Sequence, residues 1–263
     1  MKFDFGIIFV NVAKVYRKFI YSNFKGVRGI TKIGQILDNL AINFSLKEID
    51  AGYKYEIDGV EIKMIKKRHF EEIILKDLIQ GYTKKRNIQK SDTVVDAGAY
   101  PGGFTIFAAK KGKSVVALEP DKKNSNILRE NLKLNGLENV EIIEKGLWSE
   151  ETELSFNSNK EASSIDQDGK NKIQVTKLDN LSNKLQNIDF VKMDIEGAEL
   201  EVIRSSSEVL KSVKPFFSIA AYHNVGGEKS AKQLKAIFDE KNYNWESGHK
   251  PHLTLWAWYD EEG

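Results

Sequence analysis

The stretch Val94-Val95-Asp96-Ala97-Gly98-Ala99-Tyr100-Pro101-Gly102-Gly103-Phe104 decides the fold. It opens on a short β-branched run, turns through glycines at 98, 102 and 103, and enters the helical spacing of Phe104 to Lys111, closed by Gly112. Glycine adopts positive φ and lets a backbone approach a ligand closely. In open α/β sheets, ligands sit beyond the carboxyl ends of the strands, where such turns lie. A dinucleotide fingerprint, G-x-G-x-x-G, fails here because Tyr100 stands where the middle glycine belongs. A phosphate-cradling G-x-x-x-x-G-K-[ST] loop is absent as well. Asp96, two residues before Gly98, suits a ligand with positive charge better than one with phosphates. Glu119 ends the next apolar run, 23 residues beyond Asp96, where a carboxylate can accept hydrogen bonds from both hydroxyls of a ribose.

Outward from this turn the chain alternates. Strands are expected at Ser114–Leu118, Val140–Ile143, Ile188–Met193, Phe216–Ala221 and Leu253–Tyr259. Helices are expected at Lys122–Asn135, from Ala198 to about Leu210, and at Ser230–Glu240. This predicts an α/β fold with a mostly parallel sheet covered on both faces. The polar stretch Asn244 to Lys250 before the last strand predicts a terminal hairpin and an antiparallel edge, and residues 150–172 read as a polar insert. Upstream, residues 1–50 carry amphipathic helical spacing (Val12, Val15, Tyr16, Phe19, Ile20). Residues 53–65 alternate around Asp58-Gly59, a hairpin signal, and helical spacing returns over Phe70–Ile79. The expected division is an N-terminal helical and β-hairpin extension over 1–68 and an α/β domain over 69–263.

The 263 residues, 41% hydrophobic and 30% charged, have the balance of a soluble globular protein rather than a disordered one. With no cysteine, disulfides and thiolate metal sites are excluded, which fits a reducing compartment. The apolar patch Phe5–Val10 is interrupted by Asn11 and Lys14 before it reaches membrane-spanning length, and no signal-peptide pattern follows it, so a cytoplasmic protein is expected. Net charge is +2, but residues 1–90 hold 18 Lys/Arg against 10 Asp/Glu, and the remainder holds 22 against 28. A basic arm on an acidic body suits contact with phosphates or an anionic membrane surface, but the favoured expectation is a solvated basic face packed on the acidic half. Nucleic acid is a possible but not favoured partner, for the basic segment has neither an arginine-rich run nor interleaved aromatics.

Asp96-Ala-Gly-Ala-Tyr-Pro-Gly102, then Leu118-Glu119-Pro120, then Lys192-Met193-Asp194-Ile195-Glu196-Gly197-Ala198-Glu199 together resemble the FkbM family of class I methyltransferases. Leu178-Asp179 and Tyr222-His223 match it too, and the resemblance covers about residues 65–260. It implies a Rossmann-like, seven-stranded methyltransferase sheet, bound S-adenosylmethionine, and usually O-methylation of a small molecule or a sugar. The family more often has Asn-Ile where this chain has Tyr100-Pro101, and Gly226-Gly227-Glu228 replaces acidic residues that often follow the His. The implied cofactor set is Asp96, Gly98, Ala99, Tyr100, Gly102, Glu119, Pro120, Gly146, Leu147 and Asp194, with Trp148 either an adenine wall or a core residue. Asn124 reads as a helix N-terminal residue only.

Asp194, Glu196 and Glu199 lie at a strand end and the following helix start. The exposed N–H groups of that helix account for Glu199. By the resemblance, Asp194 borders the transferred methyl group and the acceptor. Methyl transfer is an in-line displacement in which the protein chiefly aligns the reacting atoms. His223, at the end of the fifth strand, is the first candidate for the base that a hydroxyl acceptor requires; Asp194 is the alternative. The predicted catalytic residues are therefore Asp194, His223 and Glu196. Two carboxylates and an imidazole also suit a divalent ion, but no metal is expected here. A nicotinamide-dependent oxidoreductase shares the strand, turn and distal acid but needs the missing glycine. Base N-methylation is disfavoured because Asp194-Ile195-Glu196-Gly197 replaces the Asn/Asp-Pro-Pro-aromatic motif. Ribose methylation stays open, as does a binding module without turnover.

Overall fold

The computed structural model describes residues 47–49, 52–65, 78–156, 171–183, 185, 187–248 and 253–260. The chain divides into two compact units at Asp77/Leu78. In the first, β1 (Lys47–Ile49), β2 (Gly52–Ile57) and β3 (Val60–Met64) form an antiparallel sheet. Asp58 and Gly59 both adopt positive φ, 48° and 77°, the backbone that a two-residue hairpin needs and that Asp-Gly tolerates. The helical readings over residues 1–46 and Phe70–Asp77 lie outside the described residues; Lys47–Ile49, at the end of the first span, is strand, and Leu78 and Ile79 are helical.

In the second unit the elements follow as β4 (Thr93–Ala97), α1 (Gly103–Lys111), β5 (Ser114–Leu118), α2 (Lys122–Leu134), β6 (Val140–Ile143), β7 (Gly146–Leu147), β8 (Thr152–Phe156), β9 (Asn171–Thr176), α3 (Leu178–Ser182), β10 (Phe190–Met193), α4 (Glu199–Ser205), β11 (Phe216–Ala220), β12 (Asn224–Val225), β13 (Glu228–Lys229), α5 (Ser230–Glu240), β14 (Asn244–Gly248) and β15 (Thr254–Trp258). Seven strands make one sheet in the order β14-β15-β11-β10-β4-β5-β6. All its pairs are parallel except β11–β15 and β14–β15, so the antiparallel edge stands where the terminal hairpin was expected. Strand order reverses between β4 and β10, and the carboxyl ends of these two neighbours form the crevice. Every residue of β4 and β10 is buried, as a central parallel strand requires. Helix α1 is buried from Gly103 to Ala109, whereas α2 turns only Ser125, Leu128, Asn131 and Leu132 inward. Among the described residues no helix is long and apolar enough to cross a membrane.

Two readings are corrected. The helix expected from Ala198 to Leu210 is broken. Helix α4 stops at Ser205, and a π turn over Val209–Val213 ends at Lys214 with φ 54°. The cause is Ser205-Ser206, whose hydroxyls both donate to the Val202 carbonyl, at 3.0 and 2.6 Å, and so compete with the helical ladder. The polar insert contains structure: β8 and β9 pair antiparallel, and β7 joins β9 in a second sheet. Its inward positions Leu154, Ile173 and Val175 alternate with Glu153, Lys172 and Gln174, so average polarity hides a period of two.

Candidate active site

The turn after β4 is held by the protein before any ligand enters. The N–H groups of Gly98 and Ala99 share the Leu118 carbonyl, each at 3.1 Å. Gly98 has φ 77°, and a Cβ there would run into the Asp194 carbonyl oxygen. Gly102, at φ 113°, would place a Cβ 2.7 Å from the Leu128 side chain of α2. Both glycines thus answer close contacts within the chain.

Beneath the turn, Asp96 is fully buried. It accepts a hydrogen bond from the Thr105 hydroxyl at 2.5 Å and pairs with Lys192 at 3.0 Å. The Lys192 ammonium also donates to the Gly98 carbonyl at 2.9 Å and lies 5.4 Å from the Tyr82 ring centroid and 5.9 Å from that of Phe104. Buried charge of this kind persists only when so compensated. The carboxylate of Asp96 is therefore engaged with Lys192 and Thr105, below the ligand crevice.

Above the turn lies a cavity of about 240 Å³. Of the expected cofactor residues, Gly98, Tyr100, Glu119, Pro120, Gly146, Leu147 and Asp194 line it; Asp96, Ala99 and Gly102 do not. Asn124 and Trp148 are on its wall, and so are Leu154, Ile173 and Val175 of the small sheet, which sequence reasoning missed. Glu119 is 6% exposed and accepts from the Tyr100 N–H at 3.3 Å, the Asp121 N–H at 3.0 Å and the Asn124 amide at 3.4 Å. Burial raises its pKa above the ordinary carboxylate value, and these donors only partly offset the rise. No lysine or arginine lines the cavity among the described residues. An apolar wall suits a flat base, a buried carboxylate suits paired hydroxyls, and acids at the far end suit a cation. This donor set fits S-adenosylmethionine and lacks what a pyrophosphate needs.

At the far end, Asp194 leaves β10 and His223 follows β11, so adjacent parallel strands bring them together. The Tyr82 hydroxyl donates to Asp194 Oδ2 at 2.9 Å, and the Tyr222 hydroxyl to Oδ1 at 3.5 Å. Burial, then the Asp194 charge, raises the pKa of both phenols, which keep their protons. Neither tyrosine was predicted from sequence; Tyr82 lies 112 residues away from its partner, so no local signal could have found it. Glu196 takes φ 57°, a left-handed conformation that costs a non-glycine residue about 1 kcal/mol. Its carboxylate lies 3.5 Å from His223 Nε2. Glu199 is fully buried, accepts the Ile195 N–H at 2.9 Å, and lies 3.3 Å from His223 Nδ1. Burial opposes a charged ring at His223, but the carboxylates of Glu196 and Glu199, with Asp194 acting through space, outweigh it and push the pKa up to about 10. So held, the imidazole carries its proton at neutral pH. All three predicted catalytic residues meet here: Asp194, Glu196 and His223 offer ligand atoms within 4.8 Å of one another.

The model of the family described as the methyltransferase FkbM domain matches residues 96–245, more than half of the chain. The crystal structure of methyltransferase FkbM from Methylobacillus flagellatus KT is similar at a TM-score of 0.52 and 17% identity, covering 97% of this chain and 61% of that one. At that identity the likeness speaks for the fold. Among curated relatives, an uncharacterized protein of Methanocaldococcus jannaschii is 42% identical over 60 residues, 23% of either chain. Ribosomal RNA small subunit methyltransferase A of Desulforapulum autotrophicum is 36% identical over 76 residues, 29% of this chain and 27% of that one. The chain thus spans about a quarter of the length of these curated relatives.

Proposed function

This chain belongs to the FkbM family of methyltransferases, and on that premise we propose that it uses S-adenosylmethionine to methylate a hydroxyl of a small molecule or a sugar. The observation that carries this reading is the cavity after β4: a buried carboxylate, an apolar wall and an acidic far end, with no lysine or arginine on its lining among the described residues. When bound, S-adenosylmethionine supplies a methyl group on a positively charged sulfur. Glu119 holds the ribose hydroxyls, and Gly146, Leu147, Trp148, Ile173 and Val175 pack on the adenine. Gly98 and Tyr100 bound the cofactor's other end, and Asp194 faces the positive charge. Asp96, Ala99 and Gly102 support the turn from behind rather than touching the ligand. Residues 69–263 form the catalytic domain in this reading, with 1–68 as its extension.

On the acceptor side, Asp194 or Glu196 takes the single proton that the hydroxyl loses as its oxygen bonds to the methyl carbon and the carbon–sulfur bond breaks, while the charged ring of His223 only donates a hydrogen bond. Alignment of the acceptor oxygen with the methyl carbon and sulfur is the chief contribution to rate. Isothermal titration with S-adenosylmethionine tests the reading. Saturable binding that Glu119→Ala and Gly98→Val both abolish is expected, and absence of binding to the native chain at millimolar ligand defeats it. A ribose hydroxyl of RNA is the second acceptor class, supported by the basic balance of residues 1–90 and by the partial kinship to a ribosomal RNA methyltransferase. Transfer of tritiated methyl to RNA rather than to a sugar mixture separates the two.

A further inference from the structure

We propose that Asp194, Glu196 and His223 bind one divalent cation on the acceptor side of the cavity. Their ligand atoms lie within 4.8 Å of one another, close enough for a single ion to touch all three. Three protein ligands leave coordination positions for water or substrate, the arrangement of a catalytic rather than a structural metal. The second observation is the ring of His223. Its side chain is 10% exposed, and its two ring nitrogens meet carboxylates at 3.5 and 3.3 Å without hydrogen-bond alignment. Nε2 faces into the cluster, towards Glu196. On the opposite edge, buried Glu199 lies 3.3 Å from Nδ1. A carboxylate behind an imidazole fixes the orientation and tautomer that a metal-ligating histidine needs. Asp194 is steadied in the same way by the Tyr82 and Tyr222 hydroxyls. Three carboxylates surround one imidazole, so the cluster carries excess negative charge that a doubly charged ion offsets.

Two carboxylates with an imidazole suit manganese, cobalt or zinc better than calcium or magnesium. Asp194 also borders the cofactor cavity. An ion held there would take an acceptor oxygen as a ligand and make its hydroxyl more acidic. The acceptor class that exploits this offers two adjacent oxygens, a vicinal diol or a hydroxy-carbonyl. That last step rests on the methyltransferase reading; the cation site does not.

The test is titration of the chelator-treated full chain with Mn²⁺, followed by electron paramagnetic resonance of the free ion, and with S-adenosylmethionine in parallel. One equivalent of Mn²⁺ is expected to bind saturably. His223→Ala and Glu196→Gln should each weaken it at least about tenfold, while Glu130→Gln, an exposed acid on α2, leaves it unchanged. Because Glu196 is half exposed, its variant should fold even if His223→Ala does not, and circular dichroism checks both. Absence of saturable Mn²⁺ or Zn²⁺ binding at millimolar ion, or binding that neither variant weakens, overturns the site. Cofactor binding without Mn²⁺ binding removes the cation and keeps the methyltransferase; Mn²⁺ binding without cofactor binding does the reverse.

Discussion

The two ends of the cavity are built on opposite principles. At the Glu119 end three donors reach the carboxylate, and the N–H groups of Gly98 and Ala99 share one carbonyl. At the Asp194 end, both His223 nitrogens and Glu199 Oε2 are buried without a hydrogen-bond partner, and Glu196 stands in a left-handed conformation. Buried polar atoms left so cost free energy that a fully satisfied site avoids. A satisfied end recognises a ligand that never changes. On the proposed reading, an end with strained and incompletely bonded groups is where specificity among acceptors would reside.

The largest effect expected is from Gly98→Val, because Gly98 touches both ends. The side chain meets the Asp194 carbonyl at a positive φ, so about 3 kcal/mol or more of stability should be lost. Urea denaturation measures this, and cofactor binding should vanish with it. Next, Glu119→Gln should weaken S-adenosylmethionine about 100-fold, the loss of two hydrogen bonds to a charged acceptor, yet raise the melting temperature. The sign follows from its raised pKa: the fold disfavours ionised Glu119, so its destabilising contribution is present above the folded pKa and disappears as pH falls below the unfolded value. Cofactor affinity should run the other way, falling as acid protonates Glu119; titration calorimetry and thermal melts across the acid range read the two trends against each other. Tyr82→Phe keeps the ring beside Lys192 and removes the donor to Asp194. A loss of about 1 kcal/mol in stability is expected, with cofactor affinity nearly unchanged; a large drop in affinity would erase the division between the ends. The smallest effect is Ile173→Ala on the small sheet, about fivefold in cofactor affinity from the apolar surface removed.

What the sequence made legible was local. Strand, turn and helix around Gly98 are contiguous, and Glu119 follows at the end of the next strand, so composition and spacing sufficed to place them. The same holds for Asp194, Glu196 and Glu199, five residues apart at most. Asp96 shows where that logic stops. Its acidity suggested a cationic ligand, but β4 and β10 pair with Asp96 directly opposite Lys192, and the register of two strands far apart in sequence sets its partner. Tyr82 was hidden for the same reason. The break after α4 was hidden for another: three serines in succession are tolerable in a helix, and only the hydroxyl bonds to Val202 show that they end this one.

The contact between Gly98 and the carbonyl of Asp194 has one more consequence. It works as a spacer between two jaws. On the proposed reading, the donor side and the acceptor side are kept apart there by the thickness of a single α-hydrogen. Lys192 ties them from below by bonding to the same glycine's carbonyl. The donor and acceptor sides of that reading thus meet through one backbone contact, and a side chain added at Gly98 would push on both at once.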